Sequence, residues 1–395
     1  MLRLGVRPQT LYAYVSRGRV RAEADPADPR RSRYRAGDIA ALSGRKARSR
    51  KVADVAADAI AWGEPVLASA ITTVADGRLY YRGQDAARLA EGETLEAVAR
   101  LLRGGAGAPL SRPSRAHRAE TMRGRAFALL AARAAEDGAA RGRQPEDLAH
   151  EAAGLLDELA DAVAGEPGFG PIHERLGQAW GCGRGESDLI RRALVLLADH
   201  ELNASTFAAR VAASTGASLA ASSLAGLSAL AGPLHGGMAA RVEAFADDAA
   251  RLGVAGAITG WAARGSPPPG FGHQLYPGGD IRARALLGAF EAPAQWAALK
   301  GKVEAITGLA ANIDFALVVL ARRLELPADA PFALFAVARC AGWIAHAIEQ
   351  LQTGALIRPR ARYVGPAPEV EAPLSRPRRH AVLLSEDDLV GANSD

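Results

Sequence analysis

Three of the eight histidines in this 395-residue chain sit where packing alone gives them no reason to be. His235 lies in AGPLHGGM: Pro233 ends one helix, and Gly236 and Gly237 precede the amphipathic run MAARVEAFADDA. Two glycines there weaken a helix by about 1 kcal/mol each relative to alanine, so the pattern predicts a ligand approaching the backbone closely. A histidine at a helix start also feels the positive end of the dipole, which favours a neutral ring able to donate a hydrogen bond to a carbonyl. His273 lies in GSPPPGFGHQLYPGGDIRARALL. Three prolines stiffen the approach, Gly270 and Gly272 expose backbone, Arg282 projects near the same turn, and Asp280 is placed to cap the next helix. His200, in ADHELNAST after the apolar RRALVLLA, is the third; a capping or solvated histidine also fits that position.

Carboxylate and guanidinium chemistry comes later in the chain. Asp314, in LAANIDFALVVLARRLEL, stands where a loop meets a strongly apolar helix. Desolvated there it becomes a usable base; locally, an ordinary N-cap aspartate is the stronger explanation. Arg339 interrupts the apolar FALFAVARCAGWIAH, a costly placement unless it meets an anion such as a substrate carboxylate. Arg358 and Arg360 flank Pro359. His346 and Glu349, spaced i and i+3 without an HExxH pattern, read as a packed surface pair.

The elements that must hold these residues are helical. Hydrophobic residues make up 49% of the chain and aromatics only 5%, while Ala and Leu recur throughout, a bias toward residues that lose little entropy in helices. The fold class is therefore mainly α, with more than one domain. A net charge of +5 carried almost wholly by arginine suits carboxylate or phosphate recognition without establishing a nucleic-acid partner. Cys182 and Cys340 form neither a metal spacing nor a disulfide framework, which points to the cytoplasm. GCGRGES lacks the third glycine of a dinucleotide fingerprint, and no Walker A sequence or metal cluster is present. The uncharged stretch after Arg210 is rich in Ala, Ser, Thr and Gly, as in a closely packed interior helix.

Along the chain, LGVRPQTLYAYVSRGRV and AGDIAALSGRK read as short helices around a turn-rich loop, EADPADPRRSRYR. Residues 52–64 suit a linker. Beyond Pro65, two β-prone runs meet at Asp76-Gly77, a hairpin signal, and helices follow to about Leu356. The Pro- and Arg-rich stretch 366–395 reads as a loosely held tail.

DHELNAST, GPLHGG, PGFGH with Asp280 and Arg282 after it, NIDF, ARCAGWIAH and IRPRARYVG, in this order, resemble the citrate synthase family over roughly Pro65 to Gly365. The resemblance implies a large helical domain at 65–235 and 341–365, a small one at 236–340, and a homodimer. It implies condensation of acetyl-CoA with oxaloacetate, with no metal and no cofactor beyond the coenzyme A thioester, which is a substrate. By the same resemblance Asp314 takes a proton from the acetyl methyl, His235 hydrogen-bonds the thioester oxygen, and His273 polarises and protonates the oxaloacetate ketone. His200, Arg282 and Arg339 would hold oxaloacetate, with Arg358 supplied by the partner subunit, and the backbone of Gly270, Phe271 and Gly272 would meet the CoA adenine. The pattern departs from many bacterial members at Gln274 and Pro277, where they carry Arg and Lys, at Ile281 in place of Pro, and at Ala311 before Asn312. An alternative is 2-methylcitrate synthase using propionyl-CoA, since one methylene is worth only about 1–3 kcal/mol in a pocket. Residues 1–51 resemble the helix-turn-helix of winged MerR-like regulators, with Gln9, Thr10, Tyr12 and Tyr14 on the recognition helix and Arg30 to Arg35 on the wing. That likeness implies a second alternative: a DNA-binding regulator with a synthase-like sensor.

Overall fold

The computed structural model describes residues 67–105, 119–361 and 363–366, together with the backbone of two strands, β1 (Ala22–Asp25) and β2 (Asp28–Tyr34). These strands pair antiparallel, Ala22 opposite Tyr34. The stretch expected to be a turn-rich loop thus contains two paired antiparallel strands. Gln9, Thr10, Tyr12, Tyr14, the second short helix near Asp38 and the linker 52–64 lie outside the described residues, as does the tail beyond Pro366.

The Asp76-Gly77 hairpin is present. β3 (Thr72–Ala75) and β4 (Arg78–Tyr81) pair antiparallel, and β5 (Gln84–Asp85) adds to β4. Asp76 at φ 51° and Gly77 at φ 70° are both left-handed, as a two-residue type I′ turn requires. Tyr81, fully buried, donates from Oη to the Val195 carbonyl at 3.0 Å, tying this small sheet to the helices.

Helices make up most of the rest. α1 (Ala86–Gly92), α2 (Leu95–Leu102), α3 (Met122–Glu136), α4 (Pro145–Ala164), α5 (Ile172–Ala179), α6 (Arg184–Leu197), α7 (Ala204–Ser214) and α8 (Leu219–Leu230) gather around one apolar core. α9 (Met238–Leu252), α10 (Val254–Ala263), α11 (Ile281–Leu287), α12 (Ala294–Thr307), α13 (Ile313–Arg323) and α14 (Ala330–Thr353) follow. The expected single small-residue helix after Arg210 is two helices: Gly216 turns left-handed at φ 89°, and Ser218 caps α8 by accepting from the Ala221 N–H at 3.1 Å. α14 is long and apolar enough to cross a membrane, but 94% of its most apolar window is buried, lining the first core from Phe332 to Ala347.

A second core is built from Val242, Phe245, Trp296, Val303 and Phe271. α13 divides its side chains between the two. Ile313, Ala316, Leu317 and Leu320 enter the first core, whereas Phe315, Val318 and Val319 enter the second. A helix apolar all round must be covered on every side. Its first turn, with Asp314, consequently stands at the seam between the cores.

Candidate active site

Four chain segments meet at that seam. The first follows α6, where Asp199 and His200 are buried and Glu201 adopts φ 52°, a left-handed conformation uncommon for a side-chain-bearing residue. The Glu201 carboxylate holds this bend by accepting from the Val74 N–H at 2.7 Å. Asn203 then caps α7, its Oδ1 accepting from the N–H groups of Ser205 (3.1 Å) and Thr206 (3.2 Å), while its Nδ2 donates to the His200 carbonyl at 3.1 Å. The cap of one helix therefore braces the loop of the histidine.

His235 occupies the turn between α8 and α9. Its two glycines answer to the chain itself rather than to a ligand: a Cβ on Gly236 would stand 2.7 Å from the Leu230 side chain, and one on Gly237 2.9 Å from the Gly232 carbonyl oxygen. The imidazole Nε2 lies 2.8 Å from Ser205 Oγ, which also accepts from the Trp343 indole N–H at 3.1 Å and sits 2.7 Å from Asn203 Oδ1. The Ser205 hydroxyl has one hydrogen for two acceptors. Turned toward His235, it leaves the imidazole hydrogen on Nδ1, the form that can donate to a thioester oxygen. Burial, with Arg339 and Arg282 nearby, lowers the His235 pKa to about 3, so the ring is neutral as expected.

The third segment carries His273. Gly270, at φ 84°, lets the backbone lie on α13, where a Cβ would meet Val242 at 2.9 Å and Phe315 at 3.0 Å. Its carbonyl accepts from the Asn312 N–H at 2.8 Å, the Gly272 N–H donates to the Ala310 carbonyl at 2.8 Å, and Asn312 Nδ2 donates to the Gly272 carbonyl at 3.1 Å. The Phe271 side chain is core, its ring 5.0 Å from that of Phe315. His273 Nδ1 accepts from the Leu275 N–H at 3.2 Å, which leaves the imidazole hydrogen on Nε2 as a donor. Burial, aided by Arg282, lowers the His273 pKa to about 4.

Asp280 caps α11 as its sequence predicts, accepting from the Arg282 N–H at 3.0 Å. It also holds the Arg282 guanidinium in a two-pronged ion pair at 3.0 and 2.9 Å, and accepts from the Ile313 N–H at 3.0 Å. One buried carboxylate thus joins the His273 segment to the start of α13. The cap of α13 is Asn312, whose Oδ1 accepts from the Asp314 N–H at 3.1 Å. Asp314 is therefore free of the capping role that its local sequence allowed. Burial raises its pKa to about 6; Arg282 and Arg339 oppose the rise and Asp280 adds to it.

Arg339 completes the site from α14. Its Nε donates to the Leu197 carbonyl at 2.9 Å, its guanidinium lies 4.9 Å from the Phe335 ring centre, and one of its buried terminal nitrogens has no hydrogen-bond partner. Burial lowers its pKa to about 10, which still leaves it charged near neutrality. A buried guanidinium with an unfilled donor, beside a second arginine, is a site for an anion. His200 lies against His273, their ring centres 5.2 Å apart. Its pKa is held well below the usual value by burial and then by Arg282, Arg339, His273 and His235, which brings all five into one electrostatic site. Arg358 belongs to a separate unit, Arg358–Asp395, where it is exposed.

His346 and Glu349 correct the sequence reading. His346 is fully buried rather than half of a surface pair, its Nε2 3.1 Å from Asp199 Oδ2, while Arg210 ties the Glu349 carboxylate at 2.7 Å. The i,i+3 spacing was visible in the sequence, but α7 covering that face of α14 was not. Sequence reasoning also missed Ser205, Trp343 and Tyr276. An isolated tyrosine among the turn-forming residues after His273 was the available signal for the last. Among the described residues no group of three or more His, Cys, Asp or Glu is placed to hold a metal.

Residues 166–360 match the family profile for the citrate synthase C-terminal domain. The citrate synthase of Haloferax volcanii is 38% identical over 187 residues, which are 44% of this chain and 49% of that protein. The chain thus spans about half the length of the curated relatives it matches. The citrate synthase structure from Thermotoga maritima superposes with a TM-score of 0.64 at 26% identity, covering 80% of this chain and 97% of that one. The ternary complex of Thermoplasma acidophilum citrate synthase with carboxymethyl coenzyme A and oxaloacetate gives 0.62 at 26% identity, covering 78% and 96%.

Proposed function

We propose, from the match of residues 166–360 to the family profile for the citrate synthase C-terminal domain, that the chain condenses acetyl-CoA with oxaloacetate and water to give citrate and CoA. The observation that carries this reading is the buried, part-unsatisfied guanidinium of Arg339 beside Arg282 and three neutral histidines. Those groups suit a dicarboxylate whose ketone must be polarised.

In the proposed reaction Asp314 removes a proton from the acetyl methyl group, favoured by its raised pKa. His235 donates to the thioester oxygen as charge builds there, which requires the Nδ1–H form and so the Ser205 hydroxyl turned from Asn203 Oδ1 toward Nε2. The resulting enol carbon attacks the oxaloacetate ketone. His273, carrying its hydrogen on Nε2, hydrogen-bonds the ketone oxygen and gives it the proton as the carbon–carbon bond forms. Water then hydrolyses the citryl thioester, releasing citrate and CoA. His200, Arg282 and Arg339 hold oxaloacetate, Arg358 comes from the partner of a homodimer, and the backbone of Gly270, Phe271 and Gly272 meets the adenine. The large domain, 65–235 with 341–365, and the small domain, 236–340, close over the substrates and exclude water; the second core lies within the small domain, while the first also draws on residues of 283–340. Two unpaired cysteines suit the cytoplasm.

A thiol-release assay with acetyl-CoA and oxaloacetate tests this directly. Turnover abolished in Asp314→Ala is expected; no turnover by the parent, indistinguishable from the variant, removes the reading. Paired kinetics with propionyl-CoA decide between this activity and 2-methylcitrate synthesis, because Gln274 and Pro277 alter the loop after His273.

One observation also supports DNA binding by residues 1–51 as a second function. The β1–β2 hairpin carries Arg30, Arg31 and Arg33 on one strand, the arrangement of a basic wing. Gel-shift titration against genomic fragments should give salt-dependent, sequence-selective retention. Purely non-specific retention sinks the regulatory role.

A further inference from the structure

The reaction described above leaves one buried polar group of the site without work. Tyr276 is 2% exposed, and its ring lies between His200 (centres 5.6 Å apart) and His273 (4.9 Å), with the Arg282 guanidinium 5.4 Å from the ring centre. Its Oη is 2.9 Å from His200 Nε2. Two arrangements satisfy that distance. Either the phenol donates to a bare Nε2, or an Nε2–H donates to the phenol oxygen.

The second arrangement leaves the phenol hydrogen with nowhere to go. Among the described residues His200 Nε2 is the hydrogen-bond partner of this oxygen, and a buried hydroxyl needs an acceptor for its hydrogen. The phenol is also a lasting donor, since burial pushes its pKa to about 12. The imidazole it meets is neutral, held so by burial and by Arg282 and Arg339. A neutral imidazole that accepts on one nitrogen must carry its hydrogen on the other.

We propose that Tyr276 is a positioning residue that fixes the tautomer of His200, so that His200 meets an anionic substrate with Nδ1–H as its single donor. The opposite tautomer would turn a lone pair toward a carboxylate or ketone oxygen lying between Arg282 and Arg339. Tyr276 thereby decides whether His200 attracts or repels the substrate that the two arginines collect. The identity of that anion as oxaloacetate rests on the condensation reading; the tautomer does not.

The test uses the full chain labelled with 15N-histidine, observed by long-range 1H–15N correlation near pH 7.5, with the His200 signals assigned by their loss in His200→Gln. In the parent, Nδ1 should be protonated and Nε2 bare, and Tyr276→Phe, which keeps the ring and its packing, should move His200 toward the Nε2–H form. A parent His200 protonated on Nε2, or a tautomer unchanged in Tyr276→Phe, overturns the proposal. In kinetics Tyr276→Phe should raise KM for oxaloacetate about tenfold, as expected for one misdirected neutral hydrogen bond, with kcat within about twofold and an unchanged melting temperature. A fall in kcat at unchanged KM would overturn the positioning role. A parent with no condensation activity would remove the reaction while the tautomer measurement still decided the role of Tyr276.

Discussion

At the scale of single residues, the site depends on pKa values displaced by burial. Asp314, raised from 3.8 to about 6, is a base only when ionised, so log kcat/KM should climb with unit slope up to about pH 6 and then level. A profile flat from pH 5 to 8 would contradict that assignment. Asp314→Asn should lower kcat by roughly 10²–10⁴-fold. The stability effect runs the other way. A carboxylate whose pKa is higher in the folded state than in the unfolded one binds its proton more tightly when folded, so its contribution is full below 3.8 and is lost as pH rises through about 6. Asp314→Asn should therefore be more stable than the parent at pH 7.5, by at most about 3 kcal/mol, and equal to it near pH 3.5. Urea titrations at the two pH values measure this. Ser205→Ala should lower kcat through the loss of tautomer control at His235, with little effect on oxaloacetate affinity; unchanged kcat would show that Ser205 does not set the ring.

At the scale of elements, the segments that bear the candidate residues are fastened to one another by caps that serve two segments at once. Asp280 starts α11, neutralises Arg282 and accepts from the first N–H of α13. Asp280→Ala leaves a buried arginine unpaired, and should cost about 3–5 kcal/mol in denaturant unfolding. Asp280→Asn, which keeps the cap, should cost less. Equal losses for the two would mean that only the charge matters. The crossing of α14 with the loop after α6 is similarly tight. Gly342 N–H donates to the Ala198 carbonyl at 3.0 Å, and a Cβ there would lie 2.6 Å from that oxygen and collide with Asp199. Gly342→Ala should therefore destabilise by roughly 1–3 kcal/mol or more and shift the loop bearing His200, visible as a raised KM for oxaloacetate.

At the scale of the molecule, two cores share α13, and the anion site takes residues from both sides of that seam. A ligand bound there stabilises both, so oxaloacetate at about 100 times its Kd should add about 2.7 kcal/mol to unfolding. A thermal-shift series would register this as a rise in melting temperature in the parent and little or none in Arg339→Ala. A comparable rise in that variant would place the dicarboxylate elsewhere.

Much of this was legible in the sequence where the physics is local. The helical composition, the Asp76-Gly77 turn and the Asp280 cap follow from short-range rules of backbone geometry, and His235 and His273 stood out against their neighbours. Other features could be settled only by the assembled structure. Asp314 read locally as an ordinary N-cap; the folded chain gives that role to Asn312 and leaves the carboxylate out of the cap. The glycines around His235 looked like room for a ligand and prove to be room for Leu230 and Gly232. His346 looked superficial and is fully buried, because periodicity defines the faces of a helix but not the partner that covers each one. Desolvation, which makes His200, His235 and His273 neutral and Asp314 basic, depends on segments more than a hundred residues apart meeting at one seam. No local pattern encodes that meeting, and tertiary structure alone decided it.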